Sequence, residues 1–372
     1  MNLPTPTLNP IIVKEFRSRM RGWRAFAILT FYLVFLALFS YGIYRLMLLF
    51  PSYGVPLSPL IGQSLFAAIA NLSLIFVAFL MPALTATAIS SEKEKLTLEM
   101  LQATPLSPQS ILFGKLVASA GYIFLLLFAA VPLASLIFTF GGVTVVDLLL
   151  AGIVILATAI TYGMIGLFFS AWRKRTIQAL VLTYLSILLM IGGTYVIYIF
   201  WGVIIRDAPP RQILMFNPFS ALASVIATQN LQNSPMGLFA LLAGWGPWAF
   251  DGSVTLEDFR PLWHYTLAFY IGLSLILYFL ATRFVKPIRP WRMHWLSVVL
   301  VVIIAILYFI ISTILFYPDI KAEIAVRQGT PTPVPAPMAV PPRVLDSRIE
   351  FSRDSVEADP TSEPTEEATV EP

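Results

Sequence analysis

Charge leaves this chain for long stretches and returns in short ones. No charged side chain occurs from Leu46 to Ser91 or from Leu116 to Val146, yet five crowd into the eight residues Glu92–Glu99. Seven apolar runs, at about 25–49, 62–89, 111–138, 146–172, 177–205, 262–283 and 295–317, each offer roughly the 20 residues that a helix needs to cross a bilayer. Runs of that length exclude barrel strands, so the pattern predicts an all-α polytopic membrane protein. The charged segment cannot lie in hydrocarbon, where each charge costs about 2.5–3.5 kcal/mol. It predicts a surface helix over 91–104, capped by Ser91, with Glu92 and Glu94 in its first turn and Pro105 closing it. Leu98, Met100 and Leu101 would form an apolar patch beside Glu92, Glu94 and Glu99.

The first 24 residues predict a second surface helix. Asn9 is placed to cap it and Pro10 to open it. Ile12, Phe16, Met20 and Trp23 make one apolar stripe, and Lys14, Arg17, Arg19, Arg21 and Arg24 occupy the rest. Such a helix lies in the interface with its basic face toward anionic headgroups. The apolar run that follows is too long for the core of a signal peptide.

Lysine and arginine placement sets the orientation. With the N-terminus cytoplasmic, fifteen basic residues outside the tail fall on the inner side, among them Lys93, Lys95, Lys115 and Arg173-Lys174-Arg175. Four fall outside or at the outer edge: Arg45, Arg206, Arg211 and Arg260. Residues 206–260 then form an outer region that is still apolar. Within it Met215–Ala227 and Met236–Ala243 are candidate short helices that dip back toward the bilayer, which requires protein or a water cavity beside them. The domain plan is a cytoplasmic segment 1–24, a transmembrane domain 25–317 and an extracytoplasmic tail 318–372. That tail is rich in proline and acidic residues, and its composition predicts disorder.

Chemistry of its own is hard to find in the chain. It has no cysteine, and its two histidines, His264 and His294, fall on opposite predicted sides of the membrane, so no metal site is expected. Its spans are nearly free of ionisable groups, and no metalloprotease, esterase or phosphate-loop motif is present. Asp147 opens the fourth span and reads as a helix cap. Pro82, Pro132 and Gly192-Gly193 lie within spans, where they supply kinks and close packing.

The order of elements resembles the permease (membrane) subunit of type-2 ABC exporters. Asn9-Pro10, Lys14-Glu15-Phe16-Arg17 and Gly22-Trp23-Arg24 are similar to that family's N-terminal connecting helix. The run Ser91–Leu101, followed by Ala103-Thr104-Pro105-Leu106-Ser107 and Gly114-Lys115, is similar to its coupling helix and the entry to the third span. The resemblance covers about residues 9–285 and implies a six-span exporter-type core, to which the seventh span and the tail are additions. It implies a separate ABC ATPase that carries ATP and magnesium, contacting Glu92, Lys93, Glu94, Lys95, Thr97, Leu98, Glu99, Leu101, Thr104 and Pro105. It also implies a second permease subunit, identical or merely similar. The chain itself would bind no cofactor and no nucleic acid, and would sit in the plasma membrane exporting a hydrophobic or amphiphilic substrate. The alternative is a non-transporting membrane scaffold that anchors a multi-protein assembly. A membrane-embedded enzyme is the weakest reading, for want of acid, base or metal ligands.

Overall fold

The computed structural model describes residues 10–49, 57–98, 107–205, 211–226 and 261–285, with Tyr308, Ile310, Phe316, Tyr317 and Lys321. Most of the seventh predicted span, the tail, Met236–Ala243 and the coupling segment beyond Leu98 lie outside the described residues, including Glu99, Leu101, Thr104 and Pro105. The described elements are helical throughout. They are α1 (Pro10–Met20), α2 (Trp23–Leu49), α3 (Leu57–Ala86), α4 (Ser90–Glu94), α5 (Pro108–Ser135), α6 (Ile137–Phe140) and α7 (Val145–Trp172). After these come α8 (Thr176–Leu188), a π-helical turn (Leu189–Gly193), α9 (Thr194–Ile205), a 3-10 turn (Arg211–Phe216), α10 (Pro218–Ile226) and α11 (Leu262–Val285). Among the described residues six helical stretches are long and apolar enough to cross a bilayer: α2, α3, α5, α7, the α8–α9 run and α11.

The centre of the bundle is α3, in which every residue from Leu60 to Ala70 is buried. It packs along α7, which packs in turn along α11, while α5 and α2 lean on its other sides. Apolar helices gain little from meeting one another in lipid, so close approach through small residues and internal hydrogen bonds must hold them. The sequence supplies both. Gly163 and Gly166 of α7 face Met81 and Thr85 of α3, and Tyr32 of α2 shares a 2.9 Å hydrogen bond with Ser73 of α3. The outer faces of α2 and of the α8–α9 run stay apolar and exposed, as lipid contact demands, with Phe31, Phe35, Leu185 and Phe200 among them.

Helix ends are closed locally. Ser107 caps α5, accepting from Ser110 N at 3.2 Å with Pro108 at the first position. Thr144 and Asp147 form a capping box at α7: Thr144 N donates to Asp147 Oδ2 at 2.8 Å, and Asp147 N to Thr144 Oγ1 at 3.3 Å. The cap is therefore Thr144, and Asp147, at the third helical position, completes the box from inside the helix. Gly141 and Gly142 turn the chain between α6 and α7 at φ +78° and +79°. A Cβ on Gly142 would stand 2.6 Å from the Pro59 carbonyl oxygen, so this turn can close on α3 only without a side chain.

The fifth span differs from the uniform helix predicted over 177–205. A π turn at Leu189–Gly193 divides it, a local widening that bends a helix. Gly192-Gly193 gives no close packing here. A Cβ on Gly193 would meet nothing, and one on Gly192 only Leu188 Cδ1 at 3.9 Å. The helix expected at Met215–Ala227 begins instead at Pro218, because Asn217 ends the 3-10 turn and accepts from Phe219 N through Oδ1 at 3.0 Å. All but Phe219 of the nine residues of α10 are buried, against α11, α7 and α3. Protein thus surrounds this non-spanning helix at the level of the π turn, and Asn217 Nδ2 donates to the Ile191 carbonyl at 3.0 Å.

Candidate functional site

The bundle end that carries α1, α4 and the α7–α8 turn is where the sequence-assigned residues meet. There α4 is one short helix whose consecutive polar groups each hold a different neighbour. Its amino end is closed by Ser170 of α7, whose Oγ accepts from Ile89 N and Ser90 N, both at 2.9 Å. This replaces the cap expected from Ser91, because the helix starts a residue earlier and its N-cap position, Ile89, has no side-chain acceptor.

Glu92 Oε1 accepts from Lys115 Nζ of α5 at 2.8 Å, and the same ammonium donates to Glu15 Oε1 of α1 at 3.1 Å. Lys115 is 2% exposed. The guanidinium of Arg19 stands 3.8 Å from Glu15 and donates to the Leu84 carbonyl at 3.4 Å, so the four charges balance. Lys93 Nζ reaches the carbonyls of Ser170, Ala171 and Arg173, the last turn of α7, where a cation also complements the helix dipole. Glu94 closes the amino end of α8: its carboxylate accepts from Thr176 N at 2.8 Å and from Thr176 Oγ1 at 2.7 Å. These bonds, with Arg175 nearby, hold its carboxyl below the usual carboxylate range.

After Glu94 the predicted helix is interrupted at Lys95–Thr97; Leu98 is helical again, and the rest of the predicted stretch to Thr104 lies outside the described residues. Leu96 N donates to the Lys93 carbonyl at 3.2 Å and Thr97 N to the Glu92 carbonyl at 2.9 Å, the paired bonds of a Schellman closure. That closure puts Leu96 at φ +54°, the one positive φ among described non-glycine residues. Lys95, Leu96 and Thr97 are left exposed, with Leu96 at 76%, and Leu98 turns back into the core. Of the expected patch, Leu98 is an internal anchor, and Met100 and Leu101 lie outside the described residues.

The other predicted helix, α1, packs on α5 and does not lie free in the interface. Phe16 sits on Gly121, where a Cβ would be 3.0 Å from its ring, and Ile11 is buried. Lys14, Arg17 and Arg21 face outward as expected. Arg19 does not, being drawn inward by Glu15, and Trp23 leaves the stripe for the start of α2, where it is 76% exposed. Ser170 and Thr176 were not singled out from the sequence, and Lys115 only as an inner-side charge in the Gly114-Lys115 pair at the entry to the third span. For Lys115 a signal existed: it is the one charge between Glu99 and Asp147.

A second feature lies farther along the bundle. A cleft of about 390 Å³ opens between α3, α5 and α7, lined by Phe66, Phe124, Phe128, Leu149 and Ile153 among others. Its one hydroxyl, Ser73, is already bonded to Tyr32. Among the described residues no cluster of metal-ligating side chains occurs.

The fold is thus an all-α, multi-pass membrane bundle with a short polar helix tied into one end. The family model described as ABC-2 family transporter protein matches residues 59–314, and the chain belongs to that family. It is accordingly a membrane permease of the ABC transporter class. No curated protein sequence matches the chain.

Proposed function

We propose that this chain is the permease of an ATP-driven exporter, and that a separate ABC ATPase docks on the exposed Lys95-Leu96-Thr97 corner of α4. The carrying observation is the division of labour along α4: Ser90, Glu92, Lys93 and Glu94 bind the chain's own helices, while the next three residues face outward. A push on that corner is delivered to α1, α5, α7 and α8 together. Glu99, Leu101, Thr104 and Pro105 extend the same surface in this reading. Lys14, Glu15, Phe16 and Arg17 belong to the connecting helix that braces it. ATP and magnesium sit on the partner, the α4 end is cytoplasmic, and the tail lies outside. A second permease subunit completes the pathway. The cargo is hydrophobic or amphiphilic, consistent with spans nearly free of charge and with the apolar cleft.

The test is co-purification in detergent with the ABC ATPase, reading ATP hydrolysis in the eluate, for wild type and a Lys95→Glu, Leu96→Asp variant. Loss of both ATPase and hydrolysis from a still-folded variant supports the docking. Undiminished association in the variant removes the corner from the interface. If no ATPase ever associates, the scaffold reading becomes the better account.

A further inference from the structure

Two helices that bear carboxylates approach one another at this end of the bundle, and one buried ammonium holds them. We infer that Lys115 is the positioning residue through which a displacement of α4 reaches α1 and α5; the inference rests on the docking of an ATPase on α4. Glu92 and Glu15 each offer an oxygen to the same Nζ, at 2.8 and 3.1 Å, from positions 23 and 100 residues away in the chain. Without the lysine, two carboxylates would share one partly buried space, where like charges repel strongly. The ammonium is therefore the tie between the surface that meets the partner and the helix that enters the first span.

The chemistry of this tie differs from that of the others on α4. Ser170, Lys93 and Glu94 fasten α4 to α7 and α8 mainly through backbone groups at helix ends, with hydroxyl bonds from Thr176 and Ser170 beside them. The tie to α1 and α5 is side chain to side chain and is not saturated. Glu92 Oε2 and Arg19 Nε are both buried without a hydrogen-bond partner. Open acceptor and donor positions in a low-dielectric network are costly to keep in one state, and they allow partners to be exchanged when α4 shifts. Lys115 thus carries motion in one direction across the bundle, and the backbone caps carry it in the other.

The absence of cysteine from the chain makes the test direct. An environment-sensitive thiol dye is placed at Ser18→Cys on α1 or at Lys174→Cys beside α8, both exposed positions. Each is read in the full chain bound to its ATPase, on adding ATP with vanadate. In wild type both dyes respond. In Lys115→Met the dye at 174 still responds, while the response at 18 falls at least fivefold; Lys115→Arg restores it. Because Lys115→Met alone leaves two carboxylates against one guanidinium, a charge-balanced double variant, Glu92→Gln, Lys115→Met, which keeps the Glu15–Arg19 pair, is run beside it, with the same loss expected. An unchanged response at 18 in both variants overturns the inference, as does loss at both positions, which would make Lys115 a general support of α4. An ATPase that binds wild type without moving either dye overturns it while leaving the docking intact. Failure of any ATPase to bind removes both.

Discussion

The carboxylate of Glu94 serves as the amino-terminal cap of a helix that begins 82 residues later, taking both the amide and the hydroxyl of Thr176. Four amide hydrogens at a helix start lack partners within the helix, and Arg175, at the N-cap position of α8, makes no side-chain cap bond. The cap therefore comes from across the bundle. Its removal in Glu94→Ala is expected to lower the melting temperature in detergent at pH 7. Because the folded-state pKa is depressed from about 4.5, this stabilisation is complete above that value and fades as pH falls through the folded pKa. The melting difference between wild type and Glu94→Ala should then narrow in acid, and a difference that stays constant down to pH 3 would contradict the assignment.

Asn217 has a comparable task deeper in the bundle. Fully buried, it donates to Ile191 O at 3.0 Å and Thr194 Oγ1 at 3.1 Å in the π-turn region, and caps α10 through Oδ1. Asn217→Ala removes a cap worth about 1 kcal/mol and one of the donors to the part-buried Ile191 carbonyl, which keeps Thr194 Oγ1, for a combined loss of about 2 kcal/mol. Hydrogen exchange should quicken at 189–194 and at the start of α10 before it changes elsewhere. Asn217→Asp keeps the acceptor of the cap but buries a carboxyl against the Ile191 carbonyl, and is expected to cost at least as much as Asn217→Ala.

The first six spans and the places of the short helices α1 and α4 were legible in the sequence because their signals are local: long apolar runs, a burst of charge, a proline or an acidic residue at a helix start. What escaped was tertiary. A lone lysine at the foot of an apolar span reads the same whether it faces water or two carboxylates, and Glu15 stands a hundred residues away. Arg19 lies on α1 with Lys14 and Arg17, and only the position of Glu15 and Leu84 draws it inward. The interruption after α4 escaped for a different reason. A glycine or asparagine after Lys95 would have announced the left-handed turn, and leucine does not.

The contact between α3 and α7 separates two substitutions that the sequence would treat alike. A Cβ on Gly163 would strike the flexible end of Met81, which can move aside. One on Gly166 would strike Thr85 Oγ1 and stand 3.0 Å from the backbone nitrogen of Ala86. Thr85 cannot yield easily, since its hydroxyl is bonded to Met81 O at 2.9 Å. Gly166→Ala is expected to cost about 1–3 kcal/mol and Gly163→Ala clearly less. Thermal melting of the two variants in the same detergent checks the order, and equal losses would mean that the helices re-pack around either methyl.

Leu96 sets stability against docking. At φ +54° a leucine is strained by about 1 kcal/mol relative to glycine, the residue that usually occupies this place in a Schellman closure. It is also 76% exposed, so replacing it removes little internal packing. Leu96→Gly is therefore expected to stabilise the isolated chain by up to about 1 kcal/mol, visible as a higher melting temperature. If this corner meets the ATPase, the same variant should bind that partner at least tenfold more weakly, because the one aliphatic side chain presented there is gone. Leu96→Asn, which also tolerates the left-handed conformation, should behave alike on both counts. A variant that gains stability and binds as wild type would show the strain to be a consequence of the short α4 alone. A variant that loses both would place Leu96 in packing that the exposed geometry does not show.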